Sequence, residues 1–239
     1  MAIQEYLRRV FPGSAEDFCQ KAGKALQEGD KLFVVTANPE ILMKAEGNAE
    51  IRRLLLDEET AVVPDGISVV RAMQQLSLPV TERITGVDLA QRLLDMAGQA
   101  EKSVYLLGAK EEVVSALAKK LKLRYPRMEV RYKNGYGKDK DADFQEIVQA
   151  QPDLVLVALG VPAQELLIAR YLDQFQKGVF IGVGGSFDVL SGSKRRAPSF
   201  FVKTNTEWLY RIVREPSRLK RFYESNVKFL GEIRRESKK

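Results

Sequence analysis

Short apolar runs rich in β-branched residues alternate along the chain with longer stretches in which apolar residues recur every three or four positions. The first pattern is typical of buried strands and the second of amphipathic helices. Six strands are predicted, at residues 31–37, 60–64, 103–107, 128–132, 153–159 and 179–183. Helices are predicted between them, at residues 41–56, 87–100, 111–125, 144–149 and 164–175. This alternation indicates an α/β fold: a Rossmann-like, doubly wound, mostly parallel sheet of about six strands.

The end of the chain has a different pattern, because from about residue 203 it contains helical periodicity and no strand. Pro216 predicts a break between two helices. Apolar residues recur at helical spacing in this segment, at Trp208, Leu209, Ile212, Val213, Leu219, Phe222, Tyr223, Val227, Leu230 and Ile233. Arginines lie between them, at Arg211, Arg214, Arg218 and Arg221. We therefore predict an α/β catalytic domain over residues 1–202 and a basic amphipathic helical appendage over residues 203–239.

The net charge of +6 is unevenly distributed. Residues 194–239 hold fourteen Lys or Arg and five Asp or Glu, so this end carries +9 and the remainder carries −3. A cationic end on a nearly neutral body favours contact with phosphates, on a lipid, a nucleic acid or a bound substrate. Because the basic residues alternate with an apolar stripe, an anionic membrane surface or an intramolecular contact is favoured over nucleic acid. Self-association into a homo-oligomer through the same stripe is a further expectation.

The composition excludes several classes of chemistry. The chain has no histidine and a single cysteine, Cys19. Ser-His-Asp hydrolysis, Cys-His chemistry and the usual zinc sites are therefore excluded, and a general base must be Asp, Glu, Lys or Tyr. The first residues do not resemble a signal peptide, and no apolar run approaches the roughly 20 residues of a membrane span. We expect a cytoplasmic protein that is peripheral to the membrane.

Small or polar residues follow each predicted strand. In open α/β sheets, ligands bind beyond the carboxyl ends of the strands, where helix N-termini point into a crevice. One crevice is therefore expected to be lined by these turn residues: Thr36, Asn38, Asp65, Gly108, Gly135, Tyr136, Gln164, Gly184, Gly185 and Asp188.

Some of these residues also have ordinary structural explanations. Asn38-Pro39 and Asp65-Gly66 are common turn dipeptides. Tyr136 either stacks on a flat ring of the ligand or packs against the protein, and Asp188 either binds the ligand or caps the helix over residues 186–192. The glycines from Gly182 to Gly185 lack the third glycine of a dinucleotide loop, so that no nicotinamide or flavin cofactor is predicted.

The acidic run from Asp139 to Asp143 allows two interpretations. An Asp-x-Asp pattern holds a divalent metal in many nucleotide-sugar enzymes. Acidic residues also favour the first turn of a helix. The second interpretation is preferred here, and no metal site is predicted.

Longer motifs run through the chain from residue 31 onward. They are Thr36-x-Asn38, Pro64-Asp65-Gly66, Glu82-Arg83-Ile84-Thr85-Gly86-Val87-Asp88-Leu89, Gly160-x-Pro162-x-Gln164-Glu165, Gly182-Val183-Gly184-Gly185-Ser186-Phe187-Asp188, Gly192, Lys194, Arg196-Ala197-Pro198, Glu207-Trp208-Leu209-Tyr210-Arg211 and Glu215-Pro216-x-Arg218. In this order they resemble the WecG/TagA/CpsF family of glycosyltransferases.

The resemblance implies an inverting, metal-independent transfer of N-acetylmannosamine from its UDP form to N-acetylglucosaminyl-diphospho-undecaprenol, a step of wall teichoic acid assembly. It places Asp65 at the catalytic base position, with Thr36, Asn38, Arg83 and Gln164 around the active site. Where the family often has Lys before the Gln-Glu pair and Trp shortly after it, this chain has Ala163 and then leucines. Transfer of another UDP-hexose or of a uronic acid is therefore an alternative, and a non-catalytic Rossmann-like module with a nucleic-acid- or membrane-binding tail is a second one.

An inverting transfer needs a base on the acceptor side and positive charge around the leaving UDP. We expect Arg83, the tail residues Arg211, Arg214 and Arg221, and the glycine amides to supply that charge. The appendage is expected to fold over the crevice and to dock on the anionic leaflet.

Overall fold

The structure is a computed structural model that describes residues 3–237, apart from the side chains of Lys203, Arg211, Arg218 and Arg221. Its centre is a six-stranded sheet in the order β2-β1-β6-β5-β3-β4, and every pairing is parallel. The strands are β1 (Lys31–Ala37), β2 (Thr60–Pro64), β3 (Val104–Gly108), β4 (Val130–Lys133), β5 (Leu154–Ala158) and β6 (Gly178–Gly182). The predicted α/β fold class is confirmed.

Thirteen helices are defined within residues 3–237. They are α1 (Ile3–Arg8), α2 (Ala15–Glu28), α3 (Pro39–Gly47), α4 (Ala49–Leu56), α5 (Ile67–Gln75), α6 (Gly86–Gln99), α7 (Glu111–Arg124), α8 (Lys140–Ala150), α9 (Ala163–Tyr171), α10 (Ser186–Ser191), α11 (Ser199–Lys203), α12 (Glu207–Arg214) and α13 (Arg218–Glu236). A short 3₁₀ turn, Leu172–Gln174, continues α9. Among the described residues, no helix combines the length and the apolar character that crossing a membrane requires.

The helices cover both faces of the sheet, and a hydrophobic core lies on each side. On one face α2, α6, α7 and α10 bury residues such as Phe18, Leu93 and Phe187. On the other face α1, α3, α4, α5, α8, α9 and α13 bury residues such as Tyr6 and Phe144. Because five of the strands are covered on both sides, they are almost continuously apolar, as expected for a parallel sheet, whereas the edge strand β4 is polar and mostly exposed.

One predicted helix, at residues 41–56, is two helices in the structure. The Asn48 side chain accepts hydrogen bonds from the backbone N–H groups of Glu50 and Ile51, at 2.9 and 3.1 Å, and so caps the start of α4. Apolar periodicity continues across this point, so the pattern alone did not reveal the break. Asparagine competes for backbone hydrogen bonds and favours such caps.

The C-terminal segment breaks where Pro216 predicted, since α12 ends at Arg214 and α13 begins at Arg218. The second half of α13 packs closely on the body. Phe229 and Ile233 are fully buried in the core that also contains α1, α3 and α5. This half of α13 therefore belongs, with α1, α3 and α5, to the layer of helices that covers this face of the sheet.

Candidate active site

The crevice lies where neighbouring strands send the chain to opposite faces of the sheet. β1 and β6 are adjacent, and β1 leads into α3 on one face whereas β6 leads into α10 on the other. Such a switch point leaves an opening beyond the carboxyl ends of the strands. Asn38, Asp65, Gln164, Gly184 and Gly185 follow β1, β2, β5 and β6 at this edge, and Thr36 is the next-to-last residue of β1 itself.

Asp65 follows β2 directly and lies beside the end of β1. Its backbone N–H donates to the Ala37 carbonyl at 2.8 Å, which continues the β1–β2 ladder by one residue. Its Oδ2 accepts from the Gly86 N–H at 3.4 Å. A Cβ placed on Gly86 would lie 3.4 Å from Thr36 Cγ2 and 3.6 Å from Asp65 Oδ2. The structure thus brings together Thr36, Asp65 and the start of α6.

Asn38 has a structural task at the same edge. Its Oδ1 accepts from the N–H groups of Glu40 and Ile41, at 3.0 and 3.1 Å, and caps α3. The next residue, Pro39, occupies the first turn, where its missing N–H costs nothing. Asn38 therefore orients the start of α3 beside the crevice.

Gln164 is buried and holds two loops together. Its Oε1 accepts from the N–H groups of Gly160 and Gly184, both at 3.0 Å. Its Nε2 donates to Glu165 Oε1 at 2.7 Å. These bonds join the turn after β5 to the turn after β6 through the Gln164 Oε1, while the Nε2 of the same amide is engaged by Glu165.

Arg83 points towards the tail. Its Nη2 donates to Glu207 Oε2 at 2.8 Å, and the two side chains are only 15% and 7% exposed. Arg83 belongs to the loop that precedes Gly86, and Glu207 is the first residue of α12. The pair therefore connects the loop beside Asp65 with the C-terminal helices.

A second ion pair lies next to this one. Arg196 donates two hydrogen bonds to Asp88, at 2.6 and 2.7 Å, and its Nε lies 3.8 Å from Glu207 Oε1. Thr85 also donates to Asp88, at 2.6 Å. Burial of the Asp88 carboxyl acts to raise its pKa, but the hydrogen bonds from Arg196 and Thr85 outweigh burial, so that the pKa lies below its ordinary value.

Two further contacts place the tail around the crevice. Lys194, after β6, donates to Glu215 at 2.7 Å, and Ser68, three residues after Asp65, donates to Asn226 Oδ1 at 2.9 Å. Together with the Arg83–Glu207 pair, they join α12, α13 and the turn between them to the loop before α6, to the segment after α10 and to the first turn of α5.

The tail arginines predicted to bind substrate are only partly covered by the structure. Arg214 is exposed, and its guanidinium lies 5.6 Å from the centroid of the Tyr210 ring. The side chains of Arg211 and Arg221 lie outside the described residues. Their predicted role remains a prediction.

The turns after β3 and β4 pack against each other. Gly108 has φ +122°, and a Cβ there would lie 2.4 Å from the Ala158 carbonyl oxygen, so that only glycine fits. Gly135 donates to the Ala109 carbonyl at 2.8 Å. The next residue, Tyr136, is 72% exposed, which leaves its ring at the surface and does not support the packing interpretation.

The turn after β6 contains Gly184 and Gly185, and Asp188 lies in the first turn of the helix that follows, α10. The Gly184 N–H is used by Gln164, and Gly185 precedes the short helix α10. The Asp188 carboxylate lies 3.7 Å from the Lys194 ammonium. α10 has no side-chain cap, so the capping interpretation of Asp188 is not supported.

The acidic run after β4 is engaged in protein contacts. Asp139 accepts from the Ala142 N–H at 2.9 Å and caps α8. Asp141 pairs with Arg170 at 2.7 Å. Asp143 lies 3.1 Å from Lys133. The helix-start interpretation of this run is therefore supported, and within residues 3–237 no three acidic or sulfur side chains are arranged to hold a metal ion.

Two buried acids at the site were not assigned a role from the sequence. Glu207 is the partner of Arg83. Glu165 is fully buried beside Gln164, and this burial raises its pKa to about 7. In the sequence, burial of Glu165 is indicated only by its position in a mostly apolar helix, between Gln164 and Leu166.

Comparison with known proteins gives consistent results. The model of the family described as "Glycosyl transferase WecG/TagA/CpsF family" matches residues 7–239. The chain is 40% identical over 197 residues to an N-acetylglucosaminyldiphosphoundecaprenol N-acetyl-beta-D-mannosaminyltransferase of Bacillus spizizenii, covering 82% of this chain and 76% of that protein. The chain is 39% identical to the enzyme of the same name from Bacillus subtilis, and the alignment covers 79% of this chain and 73% of that protein. The chain is 37% identical to the enzyme of the same name from Staphylococcus aureus, and the alignment covers 82% of this chain and 78% of that protein.

Proposed function

This chain belongs to the WecG/TagA/CpsF family of glycosyltransferases, and we propose that it transfers N-acetylmannosamine from UDP-N-acetylmannosamine to N-acetylglucosaminyl-diphospho-undecaprenol. The names of the relatives from Bacillus and Staphylococcus give the sugar and the lipid-linked acceptor. The product is the linkage unit on which wall teichoic acid is built.

Asp65 serves as the general base in this proposal. The acceptor hydroxyl loses its proton to the Asp65 carboxylate as its oxygen attacks the anomeric carbon, opposite the departing UDP, which inverts that carbon. The chain contains no histidine, so a carboxylate is the natural base near neutral pH. The observation that carries the proposal is the position of Asp65, half-buried at the crevice edge beside Thr36 and Gly86.

The leaving UDP needs positive charge and hydrogen-bond donors. A single well-placed donor contributes about 3 to 4 kcal/mol in comparable sites. We assign this role to Arg83 and to the tail arginines Arg211, Arg214 and Arg221, with Tyr136 stacking on the uracil. The aspartates of the acidic run have protein partners, which supports a reaction that uses no metal ion.

The tail completes the site and meets the membrane. α13 carries two apolar stripes, and Phe229 and Ile233 of the inner stripe are buried. The outer stripe is between 42% and 63% exposed and consists of Leu219, Tyr223, Val227 and Leu230. Residues spaced by three or four positions lie on one side of a helix, so these four form a continuous surface.

This outer stripe is suited to an anionic leaflet. An exposed lysine, Lys220, lies next to it, and each basic residue near such a surface contributes about 1 kcal/mol. Docking of the stripe would bring the tail's contacts with Arg83, Lys194 and Ser68 next to the lipid-linked acceptor. The protein acts peripherally at the cytoplasmic face in this proposal.

The proposal is tested by incubating the full chain with UDP-N-acetylmannosamine and a lipid-diphosphate N-acetylglucosamine analogue. Transfer that persists in EDTA, and is lost in Asp65→Asn but kept in Asp30→Asn, is expected. Asp30 is an exposed control at the opposite edge of the sheet. UDP-glucose, UDP-N-acetylglucosamine and UDP-N-acetylmannosaminuronic acid test the donor. Full activity of Asp65→Asn would disprove the assigned base, and loss in EDTA would disprove metal independence.

A further inference from the structure

We propose that Glu165 is a positioning residue for the glycosyl transfer: as an uncharged acid it orients the Gln164 amide, which in turn holds the loops after β5 and β6 at the crevice. The inference rests on the proposed function, because transfer is one of its two readouts.

The hydrogen bonds of Gln164 have one self-consistent arrangement. Its Oε1 faces two backbone donors, the N–H groups of Gly160 and Gly184, both at 3.0 Å. If the amide were flipped, its NH₂ group would face those two donors and both would lose their acceptor. Glu165 Oε1, at 2.7 Å, accepts from Nε2 and so stabilises the unflipped orientation.

The space around Gln164 is closed, so that the amide cannot reorient without moving the sheet edge. A Cβ on Gly182, the last residue of β6, would lie 2.5 Å from Gln164 Nε2. Gly160 and Gly184 have φ values of +84° and +49°, conformations that most other residues avoid. Because glycine has no Cβ to restrict its backbone, these two turns would be flexible by themselves. The hydrogen bonds to Gln164 thus fix them in place.

The carboxyl of Glu165 is in an environment that disfavours charge. The side chain is fully buried, and among the described residues its Oε2 has no hydrogen-bond partner. A buried carboxylate with an unsatisfied oxygen is costly, whereas the neutral acid is much less so. Burial accordingly raises the pKa to about 7, although the hydrogen bond from Gln164 acts to lower it.

The charged groups around Glu165 act in opposite directions. On α3, Glu40 raises the pKa of Glu165 and Lys44 lowers it. On α4 and α8, Glu50 and Asp141 act instead on Arg170, near the other end of α9. β6, which packs against α9, has no titratable side chain. The neutral form of Glu165 is therefore the form that its surroundings accommodate.

Ionisation of Glu165 would strengthen the hydrogen bond from Gln164 but leave a buried charge with an unsatisfied oxygen directly behind the loop clamp, and relieving that cost requires a shift of α9, which carries Gln164. The loops concerned are the turn from Gly160 to Pro162 and the turn from Val183 to Gly185. A displacement of about 1 Å at a substrate-contacting loop lowers activity by about 100-fold in well-studied enzymes. Activity should consequently fall as the acid loses its proton.

The first test compares the pH dependence of transfer for the wild type, Glu165→Gln and the control Glu28→Gln. Gln keeps the shape and the acceptor of the neutral acid and does not ionise. We expect the wild type and the control to lose kcat about tenfold per pH unit above a midpoint near 7. Glu165→Gln should lack this fall and remain within about threefold of the wild type at pH 6. A Gln variant that retains the wild-type fall overturns the proposal.

The second test does not depend on enzymatic activity. Hydrogen exchange is measured on the backbone amides of Gly160 and Gly184 in the full chain. Glu165→Ala removes the acceptor, and exchange at both amides should accelerate about tenfold or more relative to the wild type, while the amides of β1 keep their protection. Unchanged exchange at Gly160 and Gly184 overturns the proposal. If the wild type transfers no sugar at all, only the proposed function has failed, and this measurement still decides the role of Glu165.

Discussion

Arg83 and Glu207 form a hydrogen-bonded ion pair at 2.8 Å, although 124 residues separate them in the sequence. The pair joins the loop next to Asp65 to the first residue of α12, and little of either side chain is exposed. Removing one partner of a buried pair leaves the other charge uncompensated, which costs more than the pair itself contributes.

Glu207→Gln should therefore loosen the tail. We expect the free energy of unfolding to fall by about 3 kcal/mol and transfer to fall by tenfold or more, because Arg83 loses its partner. Limited proteolysis should cut the variant within residues 203–217 faster than the wild type. Glu224→Gln, at an exposed position of α13, is the control and should behave like the wild type. Equal cutting of both variants would contradict the assigned contact.

Asp65→Asn should lower kcat by about 10² to 10⁴, since the amide keeps the shape of the side chain and loses the ability to accept a proton. The KM for UDP-N-acetylmannosamine should change little, because the base acts on the acceptor hydroxyl. Steady-state kinetics with the soluble acceptor analogue measure both constants. A large rise in KM with unchanged kcat would assign Asp65 to donor binding instead.

The raised pKa of Glu165 predicts a pH-dependent stability. Between its ordinary value of 4.5 and about 7, the unfolded state has lost the proton and the folded state keeps it, so stability falls as pH rises. The loss should amount to about 3 kcal/mol across this window. A carboxyl with a lowered pKa, such as Asp153, has the opposite effect: its contribution to stability is lost as the pH falls. That loss occurs below the ordinary pKa of 3.8, outside the window of Glu165. Urea unfolding at pH 5 and pH 8 should show most of this loss of stability in the wild type and none of it in Glu165→Gln. An equal loss in both proteins would refute the assignment of the pH dependence to Glu165.

Gly182→Ala should be destabilising, since the added methyl group would lie 2.5 Å from Gln164 Nε2 in a closed space. Overpacking of this kind costs about 1 to 3 kcal/mol. Gly231→Ala is a matched control, because Gly231 lies within α13 with nothing within 4 Å of the new methyl group. That change should stabilise the helix by about 0.5 to 1 kcal/mol. Thermal unfolding of both variants gives the comparison.

Replacing the outer stripe of α13 should weaken membrane binding without unfolding the protein. A variant with Leu219, Tyr223 and Val227 all changed to Ser should bind vesicles containing phosphatidylglycerol at least tenfold more weakly, because each buried side chain contributes about 1.5 kcal/mol or more. Leu123→Ser, at an exposed apolar position on α7, is the control. Sedimentation with vesicles measures the binding, and unaltered binding of the triple variant would remove the stripe from the proposal.

The local pattern was enough to predict the elements whose signal lies within a few residues. β1 and β2 match the predicted bounds, because each is an apolar run bordered by polar residues. The break at Pro216 follows from a ring that removes a backbone donor. The site motif at Asp65 could be found in the same way, since it follows a strand at the edge where ligands bind.

Other features depend on residues far apart in the sequence. β6 lies between β1 and β5, an order that no strand encodes alone. Gln164 was predicted as an active-site residue, and only the packing of β6 shows that its amide clamps two loops. The partner of Arg83, 124 residues away, was likewise not predicted.

The sequence by itself thus determined the elements, the sheet edge that carries the candidate site and the family resemblance, because hydrophobic periodicity and turn chemistry are local. Only the tertiary structure decided which stripe of α13 is buried, which partner Arg83 has and why burial raises the pKa of Glu165 above its ordinary value. Burial and long-range ion pairing are properties of the packed chain, and the same residues have neither in an unfolded one.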